Sequence, residues 1–241
     1  SDAKRVFART TVPMADLKAV KAAAGTAMSN VVLAVVAGAL RHHLLAIDEL
    51  PETSLVVNVP VTRDPPGAPP RTAGNRFSNF FSYLATDIAG PKERLHAIAE
   101  HSAEARIQLD LLGTDTLPEW LDRIPPLIAQ PAARLMVRRH ARRARLPDFN
   151  VLVSNVRFSE EPMSIEGRPV ERITMSGPIA DGAGLNITLT GRGAHLEVAL
   201  TANPSAVADI EGLAGLISTS LAELVDAYDR AETELQADAA P

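Results

Sequence analysis

The segment that says most about the fold is residues 177–189, with the sequence GPIADGAGLNITL. Its glycines stand between the apolar end of one predicted strand and a second segment in which apolar and polar residues alternate. Glycine supplies the positive φ that tight corners need, and alternation is typical of a strand with one buried face. The pattern predicts a corner with Asp181 and Asn186 on or beside it. No nucleophile or obvious base lies in the corner, so any chemistry here needs a group from elsewhere.

A phosphate-binding loop is the alternative for the glycines of this corner. Residues 181–184 (DGAG) have neither the Gly-x-Gly-x-x-Gly spacing nor a following helix whose first turn could hold an anion. A turn with glycines at positive φ is therefore the favoured interpretation.

Composition limits the class of protein. The chain has 241 residues, 46% of them hydrophobic, which is enough for one large domain or two small ones. A net charge of -5 argues against attraction of the whole protein to nucleic acid or membranes. The absence of cysteine excludes disulfides, thiolate metal sites and cysteine nucleophiles. The apolar run at residues 31–40 is shorter than the ~18 residues that span a bilayer, and no signal-peptide pattern opens the chain, so we expect a cytoplasmic protein.

Periodicity predicts an α/β (α+β) fold in which helices cover a sheet. Strands are predicted at residues 5–12, 55–61, 75–88, 149–156, 169–179, 184–190 and 196–201. Helices are predicted at residues 14–24, 29–47 with Ser29 as cap, 91–112, 117–145 and from 203 onward. Residues 64–70 are expected to form a proline-rich loop, residues 1–233 one domain, and residues 234–241 a disordered tail.

An arginine cluster is the strongest local charge feature. Six arginines and no acid occur within twelve residues, at Arg134, Arg138, Arg139, Arg142, Arg143 and Arg145. On a helix, four of them share one stripe beside apolar residues, which suits anionic lipid headgroups or a ligand phosphate. A solvated helix face paired with acids elsewhere is an equally good interpretation. RNA is disfavoured because no aromatic residues are interleaved.

Histidines and serines offer few catalytic candidates. His42 and His43 are adjacent, so on a helix they point about 100° apart, and their place near a helix end favours a structural role. His96 and His101 are five residues apart, off the i, i+4 spacing of metal ligands on one helix face. Ser154 lies in no Gly-x-Ser-x-Gly elbow, and neither does the other candidate, Ser176. We expect neither a serine hydrolase nor a metal site.

Five segments in order resemble the C-terminal half of the bacterial wax ester synthase/acyl-CoA:diacylglycerol acyltransferase (WS/DGAT) family. They are SNVVLAVVAGALRHHL (29–44), VVNVPV (56–61), GNRFSNFFSYL (74–84), FNVLVSNV (149–156) and GPIADGAGLNITL (177–189). The resemblance implies the C-terminal half of a two-domain, chloramphenicol acetyltransferase-like fold with a mixed sheet. In that fold a tunnel between the halves brings acyl-CoA to an alcohol.

The family's catalytic motif, His-His-x-x-x-Asp-Gly, belongs to the N-terminal half and is absent here. After His42 and His43, Asp48 comes one position late and the glycine is missing. Relatives usually have Asn-Asp where this chain has Ser29-Asn30. They have Ser-Asn-Val-Pro-Gly-Pro where residues 154–159 read SNVRFS. The first departure removes a carboxylate at a helix start, and the second alters a loop near the expected tunnel.

The resemblance implies the C-terminal domain of an O-acyltransferase that moves a fatty acyl group from acyl-CoA to diacylglycerol or a long-chain alcohol. Its partner is an N-terminal half that is cleaved, missing or a separate chain, and this chain alone is expected to be inactive. The alternative is a non-catalytic lipid- or acyl-CoA-binding scaffold. Acyl-CoA is expected as substrate, with no cofactor, no metal and no nucleic acid. Peripheral contact with a membrane or lipid droplet is the alternative to a purely cytoplasmic location.

The same resemblance implies roles for individual residues. Asn186, Ser154 and Asn155 would form a polar wall that orients substrate or stabilises the thioester oxyanion. Asp181 and Gly182 would shape the corner. The arginine helix, through Arg134, Arg138, Arg139, Arg142 and Arg143, would contact CoA phosphates or the membrane surface.

Overall fold

The computed structural model describes residues 4–62, 77–111, 149–157, 162–179 and 183–238. The strands are β1 (Val6–Pro13), β2 (Val56–Thr62), β3 (Phe77–Tyr83), β4 (Val151–Arg157), β5 (Ser164–Ile165), β6 (Arg168–Pro169), β7 (Leu185–Arg192) and β8 (His195–Ala202). The helices are α1 (Met14–Ala24), α2 (Met28–Ala46), α3 (Pro91–Leu111) and α4 (Ile210–Asp238).

Six strands form one mixed sheet in the order β1-β8-β7-β4-β2-β3. The pairs β2–β4 and β4–β7 are parallel, and the other neighbours are antiparallel. A separate two-stranded hairpin, β5–β6, turns at Glu166 and Gly167, which both have positive φ as that turn requires. The predicted mixed sheet and this predicted turn are confirmed.

Alternation along the strands gives the sheet two unlike faces. The first face is apolar and is covered by the helices; Val57, Val153, Ile187 and Leu200 lie on it and are almost fully buried. The second face is the opposite side of the sheet. It carries Asn186 on β7, and the residues paired with Asn186 on β4 and β8 belong to the same face. The apolar core therefore lies between the first face and the helices.

Helix α2 is the centre of the helical layer, as its apolar run predicts. All side chains from Val31 to Leu40 are buried, and α2 packs against both α3 and α4. Within the described ranges, α2 is the one helix whose length and composition would allow it to cross a membrane, yet 61% of that window is buried inside the protein. Burial of this kind is what a central core helix shows.

A glycine lets a buried arginine enter this layer. Gly38 on α2 leaves space that Ser220 of α4 and the Arg94 guanidinium of α3 fill. Arg94 is 3% exposed and donates to the carbonyl oxygen of Ala89 at 2.8 Å. Burial, and after it the charge of Arg41, lower the pKa of Arg94. The three helices thus meet around a polar contact rather than a wholly apolar one.

Several predicted boundaries are wrong. Residues 170–179 form no strand, and β3 ends at Tyr83 instead of reaching residue 88, because Ala85 has a φ of 48°. Ser29 does not cap α2, which begins at Met28 with no side-chain cap. Helix α4 begins at Ile210, not near residue 203, and ends at Asp238. The predicted loop 64–70 and helix 117–145 lie outside the described residues.

Candidate functional site

Asn186 lies on the second face of β7 and is 1% exposed. Its Nδ2 donates a hydrogen bond to the carbonyl oxygen of Pro178 at 2.8 Å, and its Oδ1 accepts one from Thr188 Oγ1 at 2.8 Å. Gly177 packs directly on the amide, since a Cβ there would come within 2.7 Å of Nδ2. Both ends of the Asn186 amide are therefore bonded within the protein, and the side chain fixes the corner to the strand.

A covering segment, residues 170–178, crosses the second face above β7. At one end the Val170 carbonyl accepts from Arg192 Nη1 at 3.1 Å, and at the other the Pro178 carbonyl accepts from Asn186. Arg192 and Asn186 are six residues apart on β7 and therefore share a face. The covering segment thus runs along the strand, which explains why Thr188 is buried on the second face.

Beside the covering segment the second face has an open groove of about 560 Å³. Thr174 and Ser176 of the covering segment form one wall, and Phe7 and Arg9 of β1 lie across from them, with Ala199 of β8 also lining it. Hydroxyls, the Arg9 cation, one aromatic ring and the Glu211 carboxylate of α4 line the groove.

Ser154 and Asn155 project from opposite faces of β4. Ser154 is opposite Thr188 in the β4–β7 register, so it lies half-buried on the second face. Asn155 is opposite Leu189 on the first face and is exposed. The structure therefore brings Ser154 and Asn186 to one face and places Asn155 on the other.

The remaining predicted site residues lie outside the described residues. These are Asp181 and Gly182 of the corner and the arginines Arg134, Arg138, Arg139, Arg142 and Arg143. Their predicted roles stay predictions.

The histidine pair belongs to the helical layer. His42 Nε2 lies 2.8 Å from Glu223 Oε2, so the pair joins α2 to α4, and both side chains are partly exposed. This contact agrees with the structural role expected for His42. Among the described residues no group of three or more His, Asp or Glu side chains is arranged to hold a metal ion.

The second face holds several buried oxygens that the sequence did not single out. Glu197 is 5% exposed; its Oε2 accepts from Thr11 Oγ1 at 3.1 Å. Its Oε1 and the hydroxyl of its register neighbour Thr190 have no hydrogen-bond partner among the described residues. The signal was available, because Asn186, Thr188 and Thr190 recur at every second position in a strand pattern.

Chemically, Ser154, Thr188 and Asn186 give this part of the face neutral hydroxyl and amide groups. The Ser154 hydroxyl can donate a hydrogen bond to a developing oxyanion, whereas the Thr188 hydroxyl already donates to Asn186. None of the three can take a proton from an alcohol near neutral pH. A reaction at these three side chains would need a base from another residue.

Comparison with known proteins identifies the family. The model of the WS/DGAT C-terminal domain matches residues 73–225. A putative diacylglycerol O-acyltransferase of Mycobacterium tuberculosis is 30% identical over 226 residues, covering 93% of this chain and 44% of that protein. Another from the same species is 36% identical over 218 residues, covering 88% of this chain and 46% of that protein.

Among solved structures, the wax ester synthase/diacylglycerol acyltransferase of Marinobacter aquaeolei is similar, with a TM-score of 0.63 and 25% identity. The match covers 92% of this chain and 49% of that one. This likeness confirms the predicted fold class. The chain spans less than half the length of these two curated relatives. The match to the family model and the relatives together show that the chain belongs to the WS/DGAT C-terminal domain family.

Proposed function

We propose that this chain is the C-terminal domain of an O-acyltransferase that moves a fatty acyl group from acyl-CoA to diacylglycerol or a long-chain alcohol. The observation that carries the proposal is the family match, together with relatives named as diacylglycerol acyltransferases that are about twice as long. In this proposal the general base is the His-His-x-x-x-Asp-Gly histidine of an N-terminal half. The C-terminal domain forms one wall of the substrate tunnel.

The side chains of the second face support this assignment, in which the N-terminal half supplies the base and this domain contacts the substrate. Ser154 and Thr188 are neighbours in register, and Asn186 follows on the same face of β7. Because Asn186 is already bonded to Pro178 and Thr188, we assign it to positioning the corner. Ser154, half-buried and on the same face, is then the better candidate for direct contact with the thioester oxygen. Asn155 contributes less, since it projects from the other face.

Reconstitution tests the proposal. The chain is assayed for acyl-CoA-dependent esterification of diacylglycerol and of hexadecanol, first alone and then co-expressed with the N-terminal half of the same enzyme. Ester formation that requires both halves, and that is lost when the first motif histidine of the N-terminal half is replaced by alanine, supports the proposal. Binding of acyl-CoA without turnover in any arm supports a non-catalytic scaffold. Turnover by the chain alone that His42→Ala or His43→Ala abolishes would show that the base lies in this chain.

The arginine cluster is proposed to meet an anion, either the phosphates of CoA or a lipid headgroup. The support is its charge, since Arg138, Arg139, Arg142 and Arg143 stand within six residues of one another in a chain of net charge -5. A variant with these four arginines changed to alanine is compared with a control that loses four exposed cations elsewhere, at Lys18, Lys21, Arg168 and Arg172.

Two measurements separate the sources of the anion. Weaker sedimentation with phosphatidylglycerol vesicles, but not phosphatidylcholine vesicles, in the cluster variant alone indicates a membrane contact. A raised KM for acyl-CoA with unchanged vesicle binding indicates the CoA phosphates. If both quantities match those of the control variant, the cluster is only a solvated helix face.

A further inference from the structure

Strand β3 exposes three aromatic side chains on one face. Phe77 is 57% exposed, Phe81 48% and Tyr83 53%. They are separated by four and two residues, even spacings that place all three on the second face of the sheet, with Asn79 between Phe77 and Phe81. The Phe149 ring extends this group, with its centroid 5.8 Å from that of Phe81. We name Phe77, Phe81 and Tyr83 the aromatic face.

The other side of the same strand is packed within the chain. Phe80 is 4% exposed, and the Arg106 guanidinium of α3 lies 5.7 Å from its ring centroid. Of the three rings of the aromatic face, Tyr83 also contacts α3, since its ring meets that of His101 edge-on with the centroids 5.4 Å apart. Strand β3 is the last strand in the sheet order. One side of β3 is therefore packed under α3, whereas about half of each ring of the aromatic face is left to solvent.

Charge is distributed unevenly over the second face. In register around the aromatic face the neighbours are uncharged, with Asn58 and Pro60 on β2 and Leu152 and Ser154 on β4. Among the described strand residues, the charged side chains of this face, Arg9, Glu197 and Arg192, belong to its other half, on β1, β8 and β7. Aromatic enrichment together with depletion of charge is typical of the centre of a protein interface.

We propose that the aromatic face is the docking surface for the N-terminal half of the acyltransferase. The inference rests on the proposed function, and it adds which surface the partner occupies. Each aromatic ring offers ~150–250 Å² of surface for burial, so three half-exposed rings suit the centre of an interface that buries about 800 Å² per partner.

Two features of the chain favour the N-terminal half over other occupants. The chain spans 44–49% of its relatives, so a comparable length of polypeptide accompanies this domain in those proteins. The aromatic face also lies on the same side of the sheet as Ser154, so a partner seated on it can bring a base towards that hydroxyl. A membrane is disfavoured, because surfaces that bind anionic lipid carry cations beside their aromatics and β3 has no charged residue.

The test uses a double variant, Phe77→Ser with Phe81→Ser, in the chain co-expressed with the N-terminal half. Phe7→Ser is the matched control, since Phe7 is a 59% exposed aromatic on the same face at the opposite edge, on β1. We expect the double variant to weaken association of the halves at least tenfold and the control to change it less than twofold. Circular dichroism and thermal melting of each variant chain check that the fold is kept.

A second measurement requires no substitution. Hydroxyl-radical footprinting should oxidise Phe77, Phe81 and Tyr83 in the chain alone and protect them in the intact enzyme that contains both halves, with Ile165, which is 68% exposed, as the reference. Unchanged oxidation of the aromatic face in the intact enzyme would overturn the inference. So would a stable dimer of the chain alone that the double variant dissociates, because the occupant would then be a second copy.

The outcomes separate this inference from the proposed function. If the halves associate through the aromatic face but form no ester, the docking surface is supported and the acyltransferase proposal is refuted. If ester forms and the double variant leaves association of the halves unchanged, the acyltransferase proposal is supported and the docking surface is refuted.

Discussion

The side-chain amide of Asn186 and the carbonyl oxygen of Pro178 form a 2.8 Å hydrogen bond that joins the glycine corner to the second face of β7. Gly177 allows this contact, because any Cβ at that position would press on the amide. Thr188 completes the arrangement by donating to Asn186 Oδ1 at 2.8 Å. The Asn186 side chain is therefore held in place by both hydrogen bonds. We expect it to influence substrate binding by positioning the corner and not by direct contact.

Two threonines on β7 should respond oppositely to the same substitution. Thr188→Val removes the donor to a buried amide oxygen, so we expect a loss of ~1–3 kcal/mol in the free energy of unfolding. Thr190→Val removes a buried hydroxyl that has no partner among the described residues, so the change should be neutral or stabilising. Urea unfolding of both variants measures the difference. Equal losses for both variants would mean that the Thr188–Asn186 bond contributes nothing specific.

Two glycines in the helical layer form a second matched pair. At Gly38 a Cβ would meet Ser220 Oγ and come within 2.7 Å of Arg94 Nη1, so Gly38→Ala should cost about 1–3 kcal/mol through overpacking. At Gly215 on α4 a Cβ would find no atom within 4 Å beyond the helix's own backbone, so Gly215→Ala should stabilise by about 0.5–1 kcal/mol. Thermal melting of both variants checks the opposite signs.

Neighbouring residues on β4 should differ in catalysis. In the enzyme that contains both halves, Ser154→Ala should lower kcat/KM by ~10²-fold if the hydroxyl stabilises the oxyanion. Asn155→Ala serves as the control, since Asn155 projects from the first face, and its effect should stay within about threefold on the same reasoning. Steady-state kinetics with varied acyl-CoA measures both. A larger loss for Asn155→Ala would place the reacting atoms on the other side of the sheet.

The His42–Glu223 contact should act on stability alone. Both side chains are about one-third exposed or more, so a double-mutant cycle with alanine should give a coupling free energy of only about 0.2–1 kcal/mol. In the two-half enzyme, His42→Ala should leave kcat unchanged. A large fall in kcat with unaltered unfolding would assign His42 to catalysis.

The sequence predicts the elements with strong periodicity well. Helix α2 was expected because Val31 to Leu40 are apolar on all sides, and β7 and β8 because apolar residues alternate with polar ones. It fails at residues 170–179, where β-branched and apolar residues indicate a strand. Those residues find hydrogen-bond partners in Arg192 and Asn186 instead of a neighbouring strand, and no local pattern encodes such distant partners.

The candidate site was predicted only in part. The sequence pairs Ser154 with Asn186 as candidates, and the β4–β7 register places both on one face. Asn155 does not share that face, because alternation puts adjacent strand residues on opposite faces. The pairing of Asn186 with Pro178, eight residues away, could not be read from either residue, because it depends on how the corner folds back.

By itself the sequence determined the class of fold, the central helix and the family, because these follow from periodicity and from ordered motifs carried by short segments. Only the tertiary structure decided which side chains share a face and which are already bonded. Asn186 has its amide satisfied at both ends, whereas the aromatic face of β3 remains about half exposed. The physical reason is that sheet register and the path of the covering segment bring together residues far apart in sequence, and burial and hydrogen bonding depend on those neighbours.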